Sequence, residues 1–358
     1  MNPEFWRGKR VFVTGHTGFK GGWLTMLLHS LGAEVYGYAL PPATEPSLFE
    51  AAGVESLLAA HVLADIRDLP RLTAALDQAR PDIVLHLAAQ PLVRYSYREP
   101  VETFQVNVLG TVNLLEAVRR QSTVRAVVNV TTDKCYENRE WLWPYRENEA
   151  MGGRDPYSAS KGCAELVTAA YRASFLAQAG VHLASARAGN VIGGGDWAED
   201  RLIPDALRAL DRGEELVIRA PNATRPWQHV LEPLSGYLAL AEHLFEHGES
   251  FAEGWNFGPR EQDAKPVAWL LGELATCFPA LNWRSEPSDL HEAHFLSLDS
   301  SKARQRLDWQ PRWRLRIAIE KTATWHQAWR NGEDMAEFSA GQIRDYRQAP
   351  HGDGLGAI

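Results

Sequence analysis

Over the first 190 residues of the chain, short apolar runs alternate with stretches whose apolar residues recur every three or four positions. The runs predict strands, and the helical spacing predicts helices between them. Strands are predicted at 11–14, 34–39, 61–64, 82–89 and 126–130, and helices at 69–79 and 101–118 among others. This alternation favours an α/β fold with a doubly wound parallel sheet.

A glycine-rich turn follows the first predicted strand and precedes a stretch of helical spacing at 23–31. Its three glycines, Gly15, Gly18 and Gly21, stand three residues apart. Glycines in such a turn let the backbone approach a pyrophosphate and leave N–H groups at the helix N-terminus to bind it. A plain loop is the alternative, but the strand before the turn and the helix after it favour a dinucleotide site in a Rossmann-like sheet.

Several polar and small residues stand at the predicted carboxyl ends of strands, namely Gly15, Asp65, Ala88, Thr132 and Asn190. Ligands of open parallel sheets bind outside these ends. We therefore expect the five residues to line one site.

Two segments carry groups suited to proton transfer. Tyr157 and Lys161 are four residues apart, so they share one face of a predicted helix. A lysine charge beside a phenol lowers the pKa of the phenol, and such a tyrosine can accept a proton from an alcohol. Taken alone, the pair also fits a half-buried tyrosine with a solvated lysine. In the other segment Thr132, Asp133 and Lys134 place a hydroxyl, a carboxylate and an amine side by side.

Composition narrows the function classes. The 358 residues carry a net charge of −8, which argues against a general binder of nucleic acid or of anionic membranes. No apolar run approaches the length of a membrane span, and the N-terminus lacks the apolar core of a signal peptide. The three cysteines and the histidines show no metal-binding spacing, so we predict no metal site. These features favour a cytoplasmic protein.

Four longer motifs make a family resemblance plain: Gly-His-Thr-Gly-Phe-Lys-Gly-Gly-Trp-Leu at 15–24, Thr-Asp-Lys-Cys-Tyr at 132–136, Arg-Ala-Gly-Asn-Val-Ile-Gly-Gly-Gly-Asp-Trp at 187–197 and Arg-Pro-Trp-Gln-His-Val at 225–230. The chain resembles the extended short-chain dehydrogenases/reductases over roughly residues 5–330. Within them it is similar to the nucleotide-sugar 4,6-dehydratases, most of all to those that act on CDP-glucose.

The resemblance implies NAD as the cofactor. The residues expected to bind it are Gly15, Thr17, Gly18, Phe19, Lys20, Gly21, Asp65, Ile66, Ala88, Ala89, Asn107, Thr131, Tyr157 and Lys161. One feature departs from the usual NAD pattern. An acidic residue commonly follows the second strand and binds the ribose 2′-hydroxyl, whereas residues 38–41 read Tyr-Ala-Leu-Pro. There is no arginine or lysine at 38–41 to favour a 2′-phosphate either.

The resemblance also implies catalytic roles. Tyr157 is expected to take the C4 hydroxyl proton, Lys161 to tune Tyr157 and bind the nicotinamide ribose, and Thr132 to polarise the C4 oxygen. Asp133 would be the acid for the departing C6 hydroxyl, and Lys134 the base at C5. Lys134 stands where related dTDP-glucose dehydratases have glutamate, so the alternative is that it binds a phosphate or hydroxyl.

Three alternative functions share most of these residues. One is a 4,6-dehydratase that acts on another nucleotide sugar. A nucleotide-sugar 4-epimerase would use Thr132, Tyr157 and Lys161 but needs no acid for C6, so Asp133 and Lys134 favour dehydration. A cofactor-bound scaffold without catalysis would commonly lack the tyrosine or the lysine of the dyad.

For the nucleoside diphosphate hexose, CDP-glucose by resemblance, the candidate contacts are guanidinium and imidazole groups for phosphate, indoles for stacking, and polar groups near the sugar. These residues are Gln90, Arg94, Asn190, Trp197, Arg201, Arg219, Arg225, Trp227 and His229. A solvated surface charge is the alternative for any single arginine.

The expected organisation is a dinucleotide-binding domain at 1–190 with part of 231–258, a mixed α/β substrate lobe at 191–335 and a polar tail at 336–358. Helices at about 99–119 and 156–178 have apolar residues on more than one face, and the resemblance implies a homodimer through a bundle of these helices.

Overall fold

The structure is a computed structural model that describes residues 1–286 and 295–350. Its strands are β1 Arg10–Thr14, β2 Glu34–Ala39, β3 Ala60–Leu63, β4 Ile83–His86, β5 Ala126–Val130, β6 His182–Ala188, β7 Val191–Ile192, β8 Leu216–Ile218, β9 Thr224–Pro226, β10 Gln228–His229, β11 Gly254–Phe257, β12 Ala264–Pro266 and β13 Trp283–Ser285. Its α-helices are α1 Pro3–Trp6, α2 Phe19–Ser30, α3 Leu48–Ala51, α4 Leu69–Ala79, α5 Val93–Arg98, α6 Pro100–Phe104, α7 Gly110–Arg119, α8 Pro156–Tyr171, α9 Leu202–Arg212, α10 Leu231–His247, α11 Val267–Cys277, α12 Ser301–Arg306, α13 Leu315–Arg330 and α14 Met335–Gln348.

Seven parallel strands form the central sheet in the order β11-β6-β5-β4-β1-β2-β3. The order reverses between β1 and β4, which is where open α/β sheets open a crevice for ligands. The strands are short and apolar because helices cover both faces of the sheet. In β1, for example, Val11 and Val13 enter the core on one face and Phe12 the core on the other. The predicted α/β fold with a doubly wound parallel sheet is therefore confirmed.

The last strand of the sheet comes from late in the chain. Strand β11 pairs with β6, and α10 packs on β5 and β6. Residues 231–257 thus lie against the sheet built by the first 190 residues, although they follow the first part of the smaller lobe.

The smaller lobe consists of short strand pairs and helices. Strands β7 and β10 pair in parallel, β8 and β13 pair in parallel, and β9 and β12 pair antiparallel. Helices α9, α11 and α13 cover them with a separate apolar core that includes Ile203, Leu270 and Ile319.

The C-terminal segment differs from the expected polar tail. Residues Met335–Gln348 form helix α14, which packs on α2 and α13. The sparse apolar residues Met335, Ile343 and Tyr346 all lie on one face of the helix and are at most 4% exposed. Their wide spacing in a polar segment explains why the sequence did not indicate a packed helix; residues 351–358 lie outside the described part.

Across the described ranges, no helix is both long enough and apolar enough to cross a membrane.

Candidate active site

A cleft of about 990 Å³ opens at the carboxyl ends of β1, β4, β5 and β6, between the central sheet and the smaller lobe. The glycine turn forms one wall. Gly15 has φ +78° and lies against the backbone of Ala88, so a Cβ there would come within 2.8 Å of the Ala88 nitrogen. A Cβ on Gly21 would stand 2.0 Å from the carbonyl oxygen of Gly15. Only glycine fits this close approach of turn, helix and neighbouring strand.

Most of the residues predicted to bind the cofactor line this cleft. They are Gly15, Thr17, Gly18, Phe19, Lys20, Gly21, Asp65, Ile66, Ala88, Ala89, Thr131, Tyr157 and Lys161. Helix α2 begins after Gly18, whose lack of a side chain leaves the first turn without a side-chain cap. Burial, together with the charges of Arg201 and Lys161, lowers the pKa of Lys20 to about 8.

Asn107 lies outside the cleft lining. It sits at the wider helical turn Gln105–Leu109 and is 2% exposed. Its amide exchanges hydrogen bonds with the backbone of Gln90 and donates to Ser160 Oγ at 2.8 Å. Through these bonds Asn107 holds the loop after β4 against helix α8. The expected contact of Asn107 with the cofactor stays a prediction.

The end of β2 is shaped by apolar residues. Tyr38, Ala39, Leu40 and Pro41 line the cleft where an acid would commonly stand. Thr17 Oγ1 donates to the carbonyl of Leu40 at 2.8 Å, which ties this segment to the glycine turn.

The segment after β5 places Asp133 in a buried turn. The hydroxyl of Thr132 accepts a hydrogen bond from the Lys134 amide at 3.3 Å and donates to Asp133 Oδ1 at 3.0 Å. Asp133 is 2% exposed, and its Oδ2 has no hydrogen-bond partner within the described part of the chain. Burial raises the pKa of the Asp133 carboxyl, against the charge of Lys134. A raised pKa favours a protonated carboxyl that can act as an acid.

Helix α8 carries the other proton-handling groups. Asp155 caps its N-terminus by accepting from the Ser158 amide at 2.9 Å. Tyr157 and Lys161 are 8% and 7% exposed. Lys161 Nζ donates to the carbonyl of Val130 at 3.4 Å, and burial lowers the pKa of Lys161 to about 8.

Burial also shifts the pKa of Tyr157. Burial raises it to about 12, while a hydrogen bond with Thr132 and the charge of Arg201 act in the opposite direction. Desolvation therefore dominates the pKa of Tyr157 in the cleft. The lowering of this pKa by Lys161 stays a prediction.

The substrate-side predictions divide into two groups. The cleft lining includes Arg94, Asn190, Trp197, Arg201, Arg219, Arg225 and Trp227. Two of these arginines already have acidic partners: Arg94 Nη1 lies 3.1 Å from Asp200, and Arg201 Nη1 lies 2.9 Å from Asp196.

Gln90 and His229 lie outside the cleft lining, so their contacts with the substrate stay predictions. The side-chain amide of Gln90 donates to the carbonyl of Leu92 and to Thr103 Oγ1. Both of its N–H groups therefore bond within the protein and stabilise the loop after β4. His229 is 0% exposed, with its ring between Trp23 and Trp313. Trp227, two residues earlier, lines the cleft, whereas the side chain of His229 at the end of β10 lies in the core.

Sequence reasoning missed Gly189 and the pair Glu165–Arg187. A Cβ on Gly189 would come within 3.0 Å of Asp133 Oδ2, so glycine leaves the carboxyl its space. Glu165 and Arg187 form a buried ion pair behind the segment 131–136, with Nη2 and Oε2 2.7 Å apart. The only sequence signals were a glutamate one turn after Lys161 and an arginine inside a buried strand.

Comparison with known proteins gives consistent results. The model of the GDP-mannose 4,6 dehydratase family matches residues 12–322. CDP-glucose 4,6-dehydratase of Salmonella typhimurium is 54% identical over 98% of this chain and 99% of its own length. dTDP-glucose 4,6-dehydratase of Xanthomonas campestris is 27% identical over 89% of this chain and 94% of its own.

Among solved structures, UDP-glucose-4-epimerase from Stenotrophomonas maltophila, with bound NAD and formylated UDP-arabinopyranose, superposes with a TM-score of 0.79. It is 22% identical, and the match covers 90% of this chain and 99% of that one. This likeness concerns the fold. The family model, by contrast, covers most of the chain, and the chain belongs to the GDP-mannose 4,6 dehydratase family.

Proposed function

We propose that the chain is an NAD-dependent nucleotide-sugar 4,6-dehydratase that converts CDP-glucose to CDP-4-keto-6-deoxyglucose. The observation that carries the proposal is the buried, protonation-prone Asp133 beside Thr132 and Lys134, in the same cleft as Tyr157 and Lys161. The whole-length similarity to a CDP-glucose 4,6-dehydratase supports the choice of substrate.

The cleft fits a dinucleotide. The side-chain-free surface at Gly15, Gly18 and Gly21 suits a pyrophosphate, and Lys20 adds a positive charge to it. Asp65 and Ile66 line the part of the cleft suited to the adenosine, next to the apolar end of β2. When bound, NAD accepts a hydride from C4, returns it to C6, and brings a cationic nicotinamide ring to the site.

Tyr157 acts first in the proposed sequence. With its pKa at about 12 in the cleft as described, the phenol needs further positive charge before it accepts the C4 hydroxyl proton. Lys161 supplies part of this charge from the next turn of α8. Thr132 donates a hydrogen bond to the C4 oxygen and polarises the ketone that forms.

Elimination then uses the segment after β5. The ketone acidifies the C5 proton, which Lys134 removes as the base in this proposal. Asp133 gives its proton to the C6 hydroxyl, which leaves as water. With the hydride that bound NAD would return to C6 and a proton returned to C5, the sugar would undergo no net oxidation. A 4-epimerase has no use for a protonated carboxyl at C6, so Asp133 favours dehydration.

The arginines of the smaller lobe are proposed to hold the substrate phosphates. Arg201 directly precedes α9, Arg219 directly follows β8 and Arg225 lies on β9, and all three line the cleft. A guanidinium group can bind two phosphate oxygens at once. Trp197 and Trp227 border the same region; Trp227 Nε1 donates to the carbonyl of Lys265 at 3.1 Å, which fixes the ring.

A homodimer is part of the proposal. Large apolar side chains stand exposed on the helices predicted to pair: Val101 at 69%, Leu109 at 53%, Leu166 at 62% and Phe175 at 44%. Such a patch on a soluble chain indicates a surface that another molecule covers. A second copy that presents the same helices would bury it around a two-fold axis.

The test is direct. Purified chain with NAD is incubated separately with CDP-glucose, UDP-glucose and dTDP-glucose, and the product is followed by alkali-induced absorbance of the 4-keto sugar and by mass. With CDP-glucose we expect a product lighter by one water. A product of unchanged mass with inverted C4 would replace the proposal by a 4-epimerase, and a preference for another nucleotide would correct the substrate.

A further inference from the structure

A single buried ion pair is linked to both ends of the segment that carries the elimination chemistry. Glu165 of α8 and Arg187 of β6 have side chains only 4% and 6% exposed. The guanidinium group donates twice to the carboxylate, Nε to Oε1 at 3.0 Å and Nη2 to Oε2 at 2.7 Å. This two-point geometry fixes the orientation of both side chains.

The carboxylate is tied to the start of the segment. Thr131 Oγ1 donates to Glu165 Oε1, and Ser185 Oγ donates to Glu165 Oε2 at 2.6 Å. Thr131 directly precedes Thr132 and Asp133.

The guanidinium group is tied to the end of the segment. Arg187 Nη1 donates to the hydroxyl of Tyr136 at 2.7 Å and to the carbonyl of Glu147 at 3.0 Å. The Tyr136 hydroxyl in turn donates to Asn256 Oδ1 of β11 at 2.7 Å. Tyr136 directly follows the turn Asp133–Cys135. The side chains of Arg187, Tyr136 and Asn256 are all buried.

The same helix that carries Glu165 carries the oxidation chemistry. Glu165 lies one turn after Lys161 and two turns after Tyr157 on α8. The links from Glu165 and Arg187 to Thr131 and Tyr136 therefore connect two groups of catalytic residues that belong to separate elements.

We infer, on the basis of the proposed function, that Glu165 and Arg187 are positioning residues that hold the acid and base of elimination, Asp133 and Lys134, at a set distance from the oxidising pair Tyr157 and Lys161. A buried ion pair contributes little net stability, because desolvation of the two charges offsets their attraction. Its value here is geometric, since a misplacement of about 1 Å lowers a rate by about 10²-fold.

Tyr136→Phe tests the inference without breaking the ion pair. The ring keeps its stacking on Tyr145, with centroids 5.3 Å apart, and its place under the Arg187 cation. Only the hydroxyl links to Arg187 and Asn256 are lost. Tyr157 and Lys161 stay in place on α8, so C4 oxidation should continue, while elimination should slow roughly 10- to 100-fold.

The measurement is a rapid-mixing single turnover with CDP-glucose, which follows reduced nicotinamide at its absorbance band. We expect the parent to keep this absorbance low and Tyr136→Phe to build it up, since oxidation outruns elimination. Tyr346→Phe is the matched control: it removes a buried phenol hydroxyl with two partners, Glu232 and Ser235, in a region outside the cleft lining. It should lower the melting temperature comparably and leave the absorbance low.

Two outcomes would overturn the inference. One is a Tyr136→Phe variant without build-up; the other is an equal slowing of oxidation and elimination, which a general loss of stability would cause. A parent chain that forms no 4-keto sugar would instead overturn the proposed function itself.

Discussion

The buried position of Asp133 raises the pKa of its carboxyl and so favours its role as an acid. Its carboxyl is buried, has one oxygen bonded to Thr132, and has the other oxygen beside Gly189. An Asp133→Asn variant keeps the size and the Thr132 contact but has no proton to give. We expect it to oxidise C4 and stall before water is lost, so reduced nicotinamide absorbance should rise in a single turnover. A variant that releases normal amounts of 4-keto-6-deoxy product would remove Asp133 from the role of acid.

Lys134 differs from Asp133 in the step it is expected to control. If it is the base at C5, Lys134→Met should stop exchange of the C5 proton with deuterated solvent, because no group remains to remove it. Asp133→Asn is the natural comparison, since it should retain some exchange. Mass spectrometry of recovered sugar measures both. Exchange at the parent rate in Lys134→Met would assign this lysine to phosphate or hydroxyl binding instead.

At the scale of elements, the buried histidine at the end of β10 has a consequence for stability. Burial lowers the pKa of His229 to about 3, so the folded chain keeps the ring neutral. The unfolded chain binds a proton at about 6.5. Stability from this group is therefore present above pH about 6.5 and is lost as pH falls toward 3.

His229→Asn should remove this pH dependence. Asparagine can still accept the Leu231 amide, which bonds to Nδ1 of His229 at 3.3 Å. The free energy of unfolding of the parent should fall with decreasing pH more steeply than that of the variant, by up to about 1.4 kcal/mol per pH unit. Urea unfolding at a series of pH values checks this. Parallel curves for the two proteins would show that His229 does not titrate on unfolding.

The elements that the sequence predicts well are those with one strong local signal. Predicted strand 126–130 and helix 69–79 agree with β5 and α4 because short apolar runs and regular helical spacing are local properties. Helix α14 was missed because its buried face needs only three apolar residues. The directions of His229 and Gln90 depend on strand pairing and loop hydrogen bonds, which spacing does not encode. The pairing of Glu165 with Arg187 joins residues from separate elements and could not be read from either one.

At the scale of the whole molecule, exposed apolar side chains lie on α6, on α8 and on the wider helical turns Gln105–Leu109 and Arg172–Leu176, where the described chain does not cover them. We expect light scattering at micromolar concentration to give twice the chain mass of 40.0 kDa. Leu166→Arg, which places a charge among these exposed apolar side chains, should shift the mass toward the monomer. Leu142→Arg is the control, because Leu142 is 90% exposed and belongs to a loop, not to these helices. A parent of monomer mass, or a dimer unaffected by Leu166→Arg, would contradict a dimer through this surface.

The late position of β11 in the chain has a consequence for synthesis. Until residues 254–257 leave the ribosome, β6 lacks the neighbouring strand β11. The hydroxyl of Tyr136 also lacks its hydrogen-bond acceptor, Asn256. Contacts so distant in sequence form slowly, and an open strand edge invites pairing with other chains. The glycine turn and both catalytic segments of the nascent chain are therefore synthesised well before the contacts that fix their relative positions can form. More than a hundred further residues must be translated after Asp133 before β11 can pair with β6. During that interval the incomplete sheet is most prone to misassembly.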